Sequence, residues 1–212
     1  NLMNNITRHD ILNQLTALIG FLEISHQDTK DPELLKFIHK EETAAYAIRS
    51  QILFTRDYQD VGVHSPGWHD VAETVSLAIA TLDLKQAQVS LDLKQVQVFT
   101  DPLLEKVFYN LVENSLRHGE KVTKISLRAE ENAGDMDLIY EDNGAGVPVE
   151  AKEKIFRREY FKNTGFGLFL TREILAITGL SIVENGTPGS GARFVIHAQK
   201  GTFRIGSGTR NG

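Results

Sequence analysis

The sequence predicts an all-α helical hairpin, paired with a second copy as a dimeric four-helix bundle, followed by an α+β sandwich. Two apolar patterns with helical spacing occupy the first 60 residues. They stop at a stretch containing glycine and proline, after which short apolar runs typical of strands are mixed with helical patterns. This mixed order favours one sheet covered on one face by helices.

The hairpin prediction depends on two apolar seams separated by a short break. In the first seam the apolar positions step by four, three and four residues: Ile11, Leu15, Leu18 and Leu22. The second seam contains Leu34, Ile38, Ala45, Ile48 and Ile52. Between the seams, Asp31 is expected to cap the second helix and Pro32 to take its first position. A single hairpin buries too little apolar surface to be stable, so we expect a homodimer.

The remaining boundaries follow from turn residues and from the change in periodicity. We expect a dimerising helical hairpin over residues 1–60, a linker over 61–67, a second domain over 68–200 and a flexible tail over 201–212. Helices are predicted over 70–82, 101–117 and 168–178, with Asp101 as the cap of the second. Strands are predicted over 89–93, 96–99, 125–130, 136–141, 180–184 and 193–198.

The composition excludes several classes of protein. A net charge of -5 over 212 residues is unlike the basic field of a general nucleic-acid binder. The absence of cysteine rules out a disulfide framework and thiolate metal ligands. No apolar run reaches the roughly 18 residues that span a membrane, so we expect no membrane contact and a cytoplasmic location. Because the chain opens on a helical pattern without Met, we expect an upstream sensor or membrane segment in a longer protein.

A carboxylate and two glycines follow directly on the predicted strand 136–141. Asp142 stands at the end of the strand, and Gly144 and Gly146 come next. A carboxylate in this place can accept a hydrogen bond from an amino group of a ligand, and the glycines let the backbone approach closely. Most strings of this kind are simple turns, so the interpretation depends on the other motifs.

Two asparagines lie one turn apart on the predicted helix 101–117. Asn110 and Asn114 therefore face the same way, followed by Arg117 and His118. An amide oxygen is a ligand that suits Mg²⁺, which prefers oxygen and keeps several waters. The alternative interpretation of these residues is a solvated helix face.

The third group of residues lies on the first helix. His9 is followed by Asp10, and Asn13 stands one turn further on. A neutral imidazole nitrogen is a competent nucleophile toward a phosphoryl group when a carboxylate holds the proton of the other nitrogen, so Asp10 is the candidate base. Asn13 is suited to placing a water for the reverse, phosphatase reaction. An ordinary exposed histidine is the simpler interpretation of His9 alone.

These groups, with Gly165, Gly167 and Leu168 downstream, stand in the order found in sensor histidine kinases, and the chain resembles that family over nearly its whole length. The resemblance implies that residues 1–60 are a histidine phosphotransfer hairpin. It also implies that residues 68–200 are a catalytic domain with a Bergerat-type ATP-binding fold, with ATP and Mg²⁺ as cofactors. It also implies a two-component system in which His9 is autophosphorylated. The phosphoryl group then passes to an aspartate in the receiver domain of a response regulator.

The resemblance also implies a role for each motif residue. Asp142 is expected to read the amino group of adenine, and Asn114 to bind Mg²⁺. Further nucleotide contacts are expected from Asn110, Arg117, His118, Gly144, Gly146, Lys162, Gly165, Gly167 and Leu168. Catalysis is expected from His9, Asp10 and Asn13. Residues 155–163 would form a short lid over the nucleotide, packed down in part by Phe156.

Two positions refine this interpretation. Asn110 stands where relatives that hydrolyse ATP with water, the type II topoisomerases and Hsp90-like chaperones, carry a glutamate. An asparagine cannot act as a general base, which favours phosphoryl transfer to a side chain. Gln14 replaces a helix-bending proline of many members, so we expect a straighter first helix. The alternative function is a phosphatase and scaffold that binds a response regulator and has weak kinase activity.

Overall fold

The computed structural model describes residues 2–93, 95–157 and 166–206 and begins with an antiparallel pair of long helices. Helix α1 covers Leu2–Asp28 and helix α2 covers Pro32–Asp60. The side chain of Asp31 accepts a hydrogen bond from the backbone N–H of Glu33, which confirms the predicted cap. Helix α1 continues through Gln14 without a break. Among the described residues, no helix is both long and apolar enough to cross a membrane.

The two apolar seams are only partly covered within one chain. Their inner positions are buried between the helices: Leu15, Ile19, Leu22, Ile38 and Ala45. Other seam residues remain 39–48% exposed: Ile11, Leu18, Leu34 and Ile48. An apolar stripe this continuous is typical of a surface that another element covers.

The catalytic part contains two sheets, whereas the sequence predicts one. Strands β1 (Gly67–Asp70), β3 (Val96–Thr100) and β8 (Phe203–Ile205) form a three-stranded antiparallel sheet in the order β1-β3-β8. The sequence predicts no strand at β1. It also predicts a flexible tail at β8, which is wrong for residues 203–205, since their backbone pairs with β3. Residues 207–212 lie outside the described part of the chain.

The larger sheet carries the candidate site. Its strands are β2 (Gln88–Asp92), β4 (Lys124–Asn132), β5 (Asp135–Asp142), β6 (Ser181–Glu184) and β7 (Arg193–Ala198), in the order β2-β4-β5-β7-β6. Helices α3 (Val71–Ala80), α4 (Leu104–His118) and α5 (Phe166–Ala176) complete the core with one face of the strands. Successive side chains of a strand point to opposite faces, so Met136, Leu138 and Tyr140 of β5 all point toward this core.

Helix α4 begins later than the sequence predicts. It starts at Leu104 without a side-chain cap, and residues 102–103 form a turn. Asp101 is buried before this turn, where Oδ1 accepts from the N–H of Leu103 and Oδ2 accepts from the N–H of Gly62, both at 2.9 Å. Asp101 therefore joins the segment after α2 to the catalytic part instead of capping α4.

Helix α2 also packs directly on the catalytic part. The ring of Phe54 stacks on the ring of Phe166, with 4.4 Å between ring centroids. The ring centroids of Tyr58 and Phe169 are 6.0 Å apart. Asp57 pairs with Lys106 of α4 at 3.4 Å. The end of the hairpin is therefore held against the start of α5.

We expect Asp101→Ala to lower the free energy of unfolding by about 2–6 kcal/mol, because two backbone N–H groups lose their acceptor at roughly 1–3 kcal/mol each. Urea unfolding measures the change. Asp92→Ala, at an exposed position, is the control and should stay within about 0.5 kcal/mol of the unaltered chain. Equal losses in both variants would contradict the joining role of Asp101.

Candidate nucleotide site and histidine site

A cavity of about 460 Å³ lies between α4, the end of β5 and the start of α5. Seven of the residues expected to contact a nucleotide line it: Asn114, Arg117, His118, Asp142, Gly146, Gly167 and Leu168. Two of the expected residues, Lys162 and Gly165, lie outside the described residues. The remaining two, Asn110 and Gly144, do not line it. The fold thus gathers motifs that are far apart in sequence around one space.

Asp142 is held in a fixed orientation at the inner end of the cavity. It is 9% exposed, and its Oδ1 accepts from the backbone N–H groups of Gly144 at 2.9 Å and Ala192 at 3.0 Å. Oδ2 accepts from the hydroxyl of Ser115 at 2.5 Å. A carboxylate has about four acceptor positions, so one on Oδ2 is left for a ligand donor.

Ser115 and Tyr140 support this carboxylate, and neither is among the site residues predicted from the sequence. The Tyr140 hydroxyl lies 2.8 Å from Oγ of Ser115 and 3.3 Å from the carbonyl oxygen of Leu111. Burial raises the pKa of Tyr140, so its hydroxyl stays protonated. The Ser115 hydroxyl donates to Asp142, because a carboxylate can only accept. Ser115 is buried four residues after Leu111 on α4, but helical spacing does not indicate a partner on another element.

One part of the cavity lining, the apolar wall, consists of apolar residues. It is formed by Val147, Pro148, Ala151, Ile155 and Phe194. Phe156 packs edge-on against Phe194 at 6.2 Å between centroids and is 4% exposed. Ile155 and Phe156 therefore belong to the core, which corrects their assignment to a lid. Except for Arg157, the rest of the predicted lid lies outside the described residues. A cavity that combines an apolar wall with a polar acceptor suits an aromatic base.

The two glycines after Asp142 have different roles. A side chain at Gly146 would come within 2.7 Å of the carbonyl oxygen of Gly191, and its φ of 72° is in the left-handed region. Gly146 lines the cavity, as expected. A side chain at Gly144 would meet the carbonyl oxygen of Gly119 at 2.6 Å. Gly144 therefore allows close packing against the end of α4 and does not contact the cavity.

Asn110 is used in a contact between helices. Its amide nitrogen donates to the carbonyl oxygen of Gly167 at 2.9 Å and to Oγ1 of Thr171 at 3.3 Å. It lines a neighbouring groove between α2 and the catalytic part, so the expected shared wall with Asn114 is not formed. Asn110 instead fixes the start of α5, where Gly167 reaches the cavity.

The end of α4 contributes basic and aromatic groups. Arg117 pairs with Glu113 at 2.7 Å, one turn earlier. Burial of the ring is the main cause that lowers the pKa of His118, and repulsion from Arg117 lowers it further. Attraction to Glu113 raises the pKa, but less strongly. His118 is therefore an uncharged ring near neutral pH, and Arg117 is the cation on this side of the cavity.

His9 lies on an open face of α1 with both expected neighbours. Its Nδ1 is 3.5 Å from Oδ1 of Asp10 and 3.2 Å from Nδ2 of Asn13. The side chains of His9 and Asp10 are 75% and 65% exposed. The two neighbours compete for one ring nitrogen, because a carboxylate accepts from protonated Nδ1 and an amide N–H donates to bare Nδ1. Only the pairing with Asp10 leaves a lone pair on Nε2.

The histidine site is close to the contact between α2 and the catalytic part. Arg8 donates to Oε1 of Gln59 at 2.6 Å, which places this turn of α1 beside the end of α2. Tyr58, the next residue of α2, lies against Phe169 of α5. His9 therefore stands on the same level of the hairpin as the docked catalytic part.

Comparison with known proteins agrees with this geometry. The model of the histidine kinase-, DNA gyrase B-, and HSP90-like ATPase family matches residues 100–202, which contain the whole cavity. The signal transduction histidine-protein kinase AtoS of Escherichia coli (strain K12) is 28% identical over 205 residues, 89% of this chain and 33% of its own length. The alginate biosynthesis sensor protein KinB of Pseudomonas aeruginosa is 36% identical over 100 residues, 44% of this chain and 16% of its own length.

The chain thus spans no more than about a third of these curated relatives. Full-length ShkA, solved in complex with AMPPNP, has the same fold, with a TM-score of 0.65 at 16% identity over 97% of this chain and 46% of that chain. These similarities support a sensor histidine kinase catalytic core, in which a helical segment is followed by a domain of the Bergerat fold.

Proposed function

We propose that this core binds Mg-ATP in the cavity and transfers the γ-phosphoryl group to His9, from which it passes to an aspartate of a response regulator. The observation that carries the proposal is the Asp142 carboxylate, which is fixed by three donors and keeps one acceptor position toward the cavity. Adenine offers an amino group to that position, and guanine has a carbonyl oxygen in the same place.

The proposed transfer requires one tautomer of His9. With the Nδ1 proton held by Asp10, the lone pair of Nε2 attacks the γ-phosphorus, an N–P bond forms, and the bond to the β-phosphate oxygen breaks to release ADP. The catalytic part must position the phosphate, because positioning and electrostatic stabilisation dominate this kind of transfer. Phosphoryl transfer from His9 to a carboxylate then regenerates the free histidine.

The cavity residues support transfer to a side chain over hydrolysis by water. The amide of Asn110 has no proton-accepting role and is engaged with Gly167 and Thr171. The described lining contains two carboxylates: Glu113 is paired with Arg117, and Asp142 is held by three donors, so neither is placed to activate a water.

The donor set also fits magnesium. Asn114 lines the cavity on the α4 side and offers one neutral amide oxygen. Within the described residues, no group of three or more histidine, cysteine or acidic side chains is arranged to bind a metal. Mg²⁺ commonly binds few protein ligands and completes its shell with phosphate oxygens and water, so Asn114 would hold it together with the nucleotide. The ion would neutralise charge on the phosphates.

We also propose a homodimer through the hairpin, with a response regulator receiver domain as the second partner. The exposed seam residues Ile11, Leu18, Leu34 and Ile48 provide the apolar surface that a four-helix bundle would cover. The open face around His9 leaves room for a receiver domain. The same face brings Asn13 to His9, which supports a reverse, phosphatase reaction on the phosphorylated regulator.

We expect His9→Gln to abolish phosphoryl incorporation from labelled ATP while ATP affinity stays unchanged, because His9 is outside the cavity. Mass spectrometry under conditions that preserve the acid-labile N–P bond identifies the modified residue. His26→Gln, on the same helix, is the matched control and should retain incorporation. Label retained on the His9 variant would assign the acceptor elsewhere.

We expect Asp142→Asn to weaken ATP binding by about 1–3 kcal/mol, because an amide cannot accept from all the donors that surround this position. Isothermal titration with ATP and competition by GTP measure affinity and base preference, and GTP should compete poorly with the unaltered chain. Asp137→Asn is the control, since Asp137 lies on the opposite face of the same strand and pairs with His197. Equal ATP affinity in both variants would move adenine recognition away from Asp142.

We expect Asp10→Asn and Asn13→Ala to separate the two activities. Loss of the carboxylate at residue 10 should reduce the autokinase rate by about 10²–10⁴, the usual range for general-base assistance. Loss of the Asn13 amide frees Nδ1 for Asp10, so autokinase activity should be retained while dephosphorylation of a phosphorylated regulator is lost. If Asn13→Ala loses autophosphorylation as severely as Asp10→Asn, the competition for Nδ1 does not govern the reaction.

A further inference from the structure

Glu184 is an acidic side chain at a position where the strand pattern requires an apolar one. It shares the inward face of β6 with Ile182, and the residue is only 6% exposed. Acidic side chains are almost never this buried unless they are paired. A buried ion pair adds little stability compared with well-packed apolar side chains, so core packing does not explain the carboxylate.

The Glu184 carboxylate closes the loop between β6 and β7. Its Oε1 accepts from the backbone N–H groups of Gly186 at 3.0 Å and Arg193 at 3.2 Å, which lie at the two ends of the loop. Its Oε2 accepts from Nζ of Lys152 at 2.6 Å. Lys152 also donates to the carbonyl oxygen of Gly186. Both ends of the loop are thus fixed to one side chain.

Backbone groups of this loop form hydrogen bonds with Asp142 and Ala145, beside the cavity. Ala192, next to Arg193, donates to Oδ1 of Asp142 at 3.0 Å, and its carbonyl oxygen accepts from the N–H of Asp142 at 3.1 Å. Gly189 donates to the carbonyl oxygen of Ala145 at 2.7 Å. The orientation of the Asp142 carboxylate therefore depends on where the loop is held.

Lys152 connects the same loop to the apolar wall. It ends the short 3-10 turn Val149–Ala151 and precedes the turn Lys154–Phe156. Ala151 and Ile155, on either side of Lys152 in sequence, line the cavity. The pair of Lys152 and Glu184 therefore joins the apolar wall to the loop that orients the Asp142 carboxylate.

We propose that Lys152 and Glu184 are positioning residues for adenine recognition: their buried ion pair sets the separation between the apolar wall and the Asp142 carboxylate. This inference rests on the proposed nucleotide site. Neither side chain lines the cavity, so both act through Asp142, Ala151 and Ile155.

The test compares Lys152→Met and Glu184→Gln, singly and together, in the full chain. Each single variant should weaken ATP binding about five- to tenfold and reduce the preference for ATP over GTP, because the loss of one partner releases the loop. The double variant should lose no more than either single variant, since one interaction is removed in all three. The KM for ATP should rise while kcat at saturating ATP stays within about twofold, because the His9 turn is untouched.

Lys154→Met is the matched control, as Lys154 is exposed two residues along the same segment. It should leave the KM and the base preference unchanged. Thermal unfolding without nucleotide shows whether each variant is folded. If a single variant does not fold, the double variant still tests the inference, because it removes both charges and keeps Oε1 as an acceptor for the loop.

A double-mutant cycle with Asp142→Asn separates positioning from a general effect on the fold. If the pair acts through Asp142, Lys152→Met in the Asp142→Asn background should cause no further loss of base preference. Fully additive losses, or an unchanged KM and base preference in folded variants, would overturn the inference. Failure of the unaltered chain to bind ATP would instead overturn the proposed function, so the two failures are distinguishable.

Discussion

The candidate site depends on the hydrogen bonds that fix the Asp142 carboxylate. Its three donors come from the turn that follows β5, from α4 and from the β6–β7 loop, and two of them are 27 and 50 residues away in sequence. A carboxylate that is free to rotate in a partly buried cavity would form its hydrogen bonds with water and would not distinguish one base from another. The packing of α4 and β7 against β5 therefore has to be complete before a selective acceptor exists.

Much of the fold follows from the sequence, because long elements show their apolar periodicity clearly. The predicted strand 193–198 coincides with β7, and the predicted helix 70–82 contains α3. The two short strands β1 and β8 carry no such signal, since Gly67–Asp70 is polar at its end and Phe203–Ile205 lies among polar residues. Each becomes a strand because it pairs with β3, and pairing between distant segments has no local pattern.

In the site, too, residues within local sequence motifs could be predicted, whereas contacts between distant segments could not. Residues such as Asn114, Asp142 and Gly146 belong to recognisable strings, and the structure brings them to one cavity. Ser115 and Tyr140 orient Asp142 but look like an ordinary helix residue and an ordinary core aromatic. Asn110 shows the reverse case, since its string predicts a cavity residue and its amide binds Gly167. A sequence motif thus identifies residue types, but the contacts that each residue makes with distant segments determine its role.

The start of α5 contacts both the cavity and helix α2 of the hairpin. Gly167 lines the cavity, and its carbonyl oxygen is held by Asn110. The preceding residue, Phe166, stacks on Phe54 of α2. The hydrogen bond from Arg8 to Gln59 joins the His9 turn to the end of the same helix. Because packed interiors do not deform gradually, any displacement of α2 would have to repack the Phe54–Phe166 contact. Helix α2 is therefore the element through which the cavity and His9 are in contact.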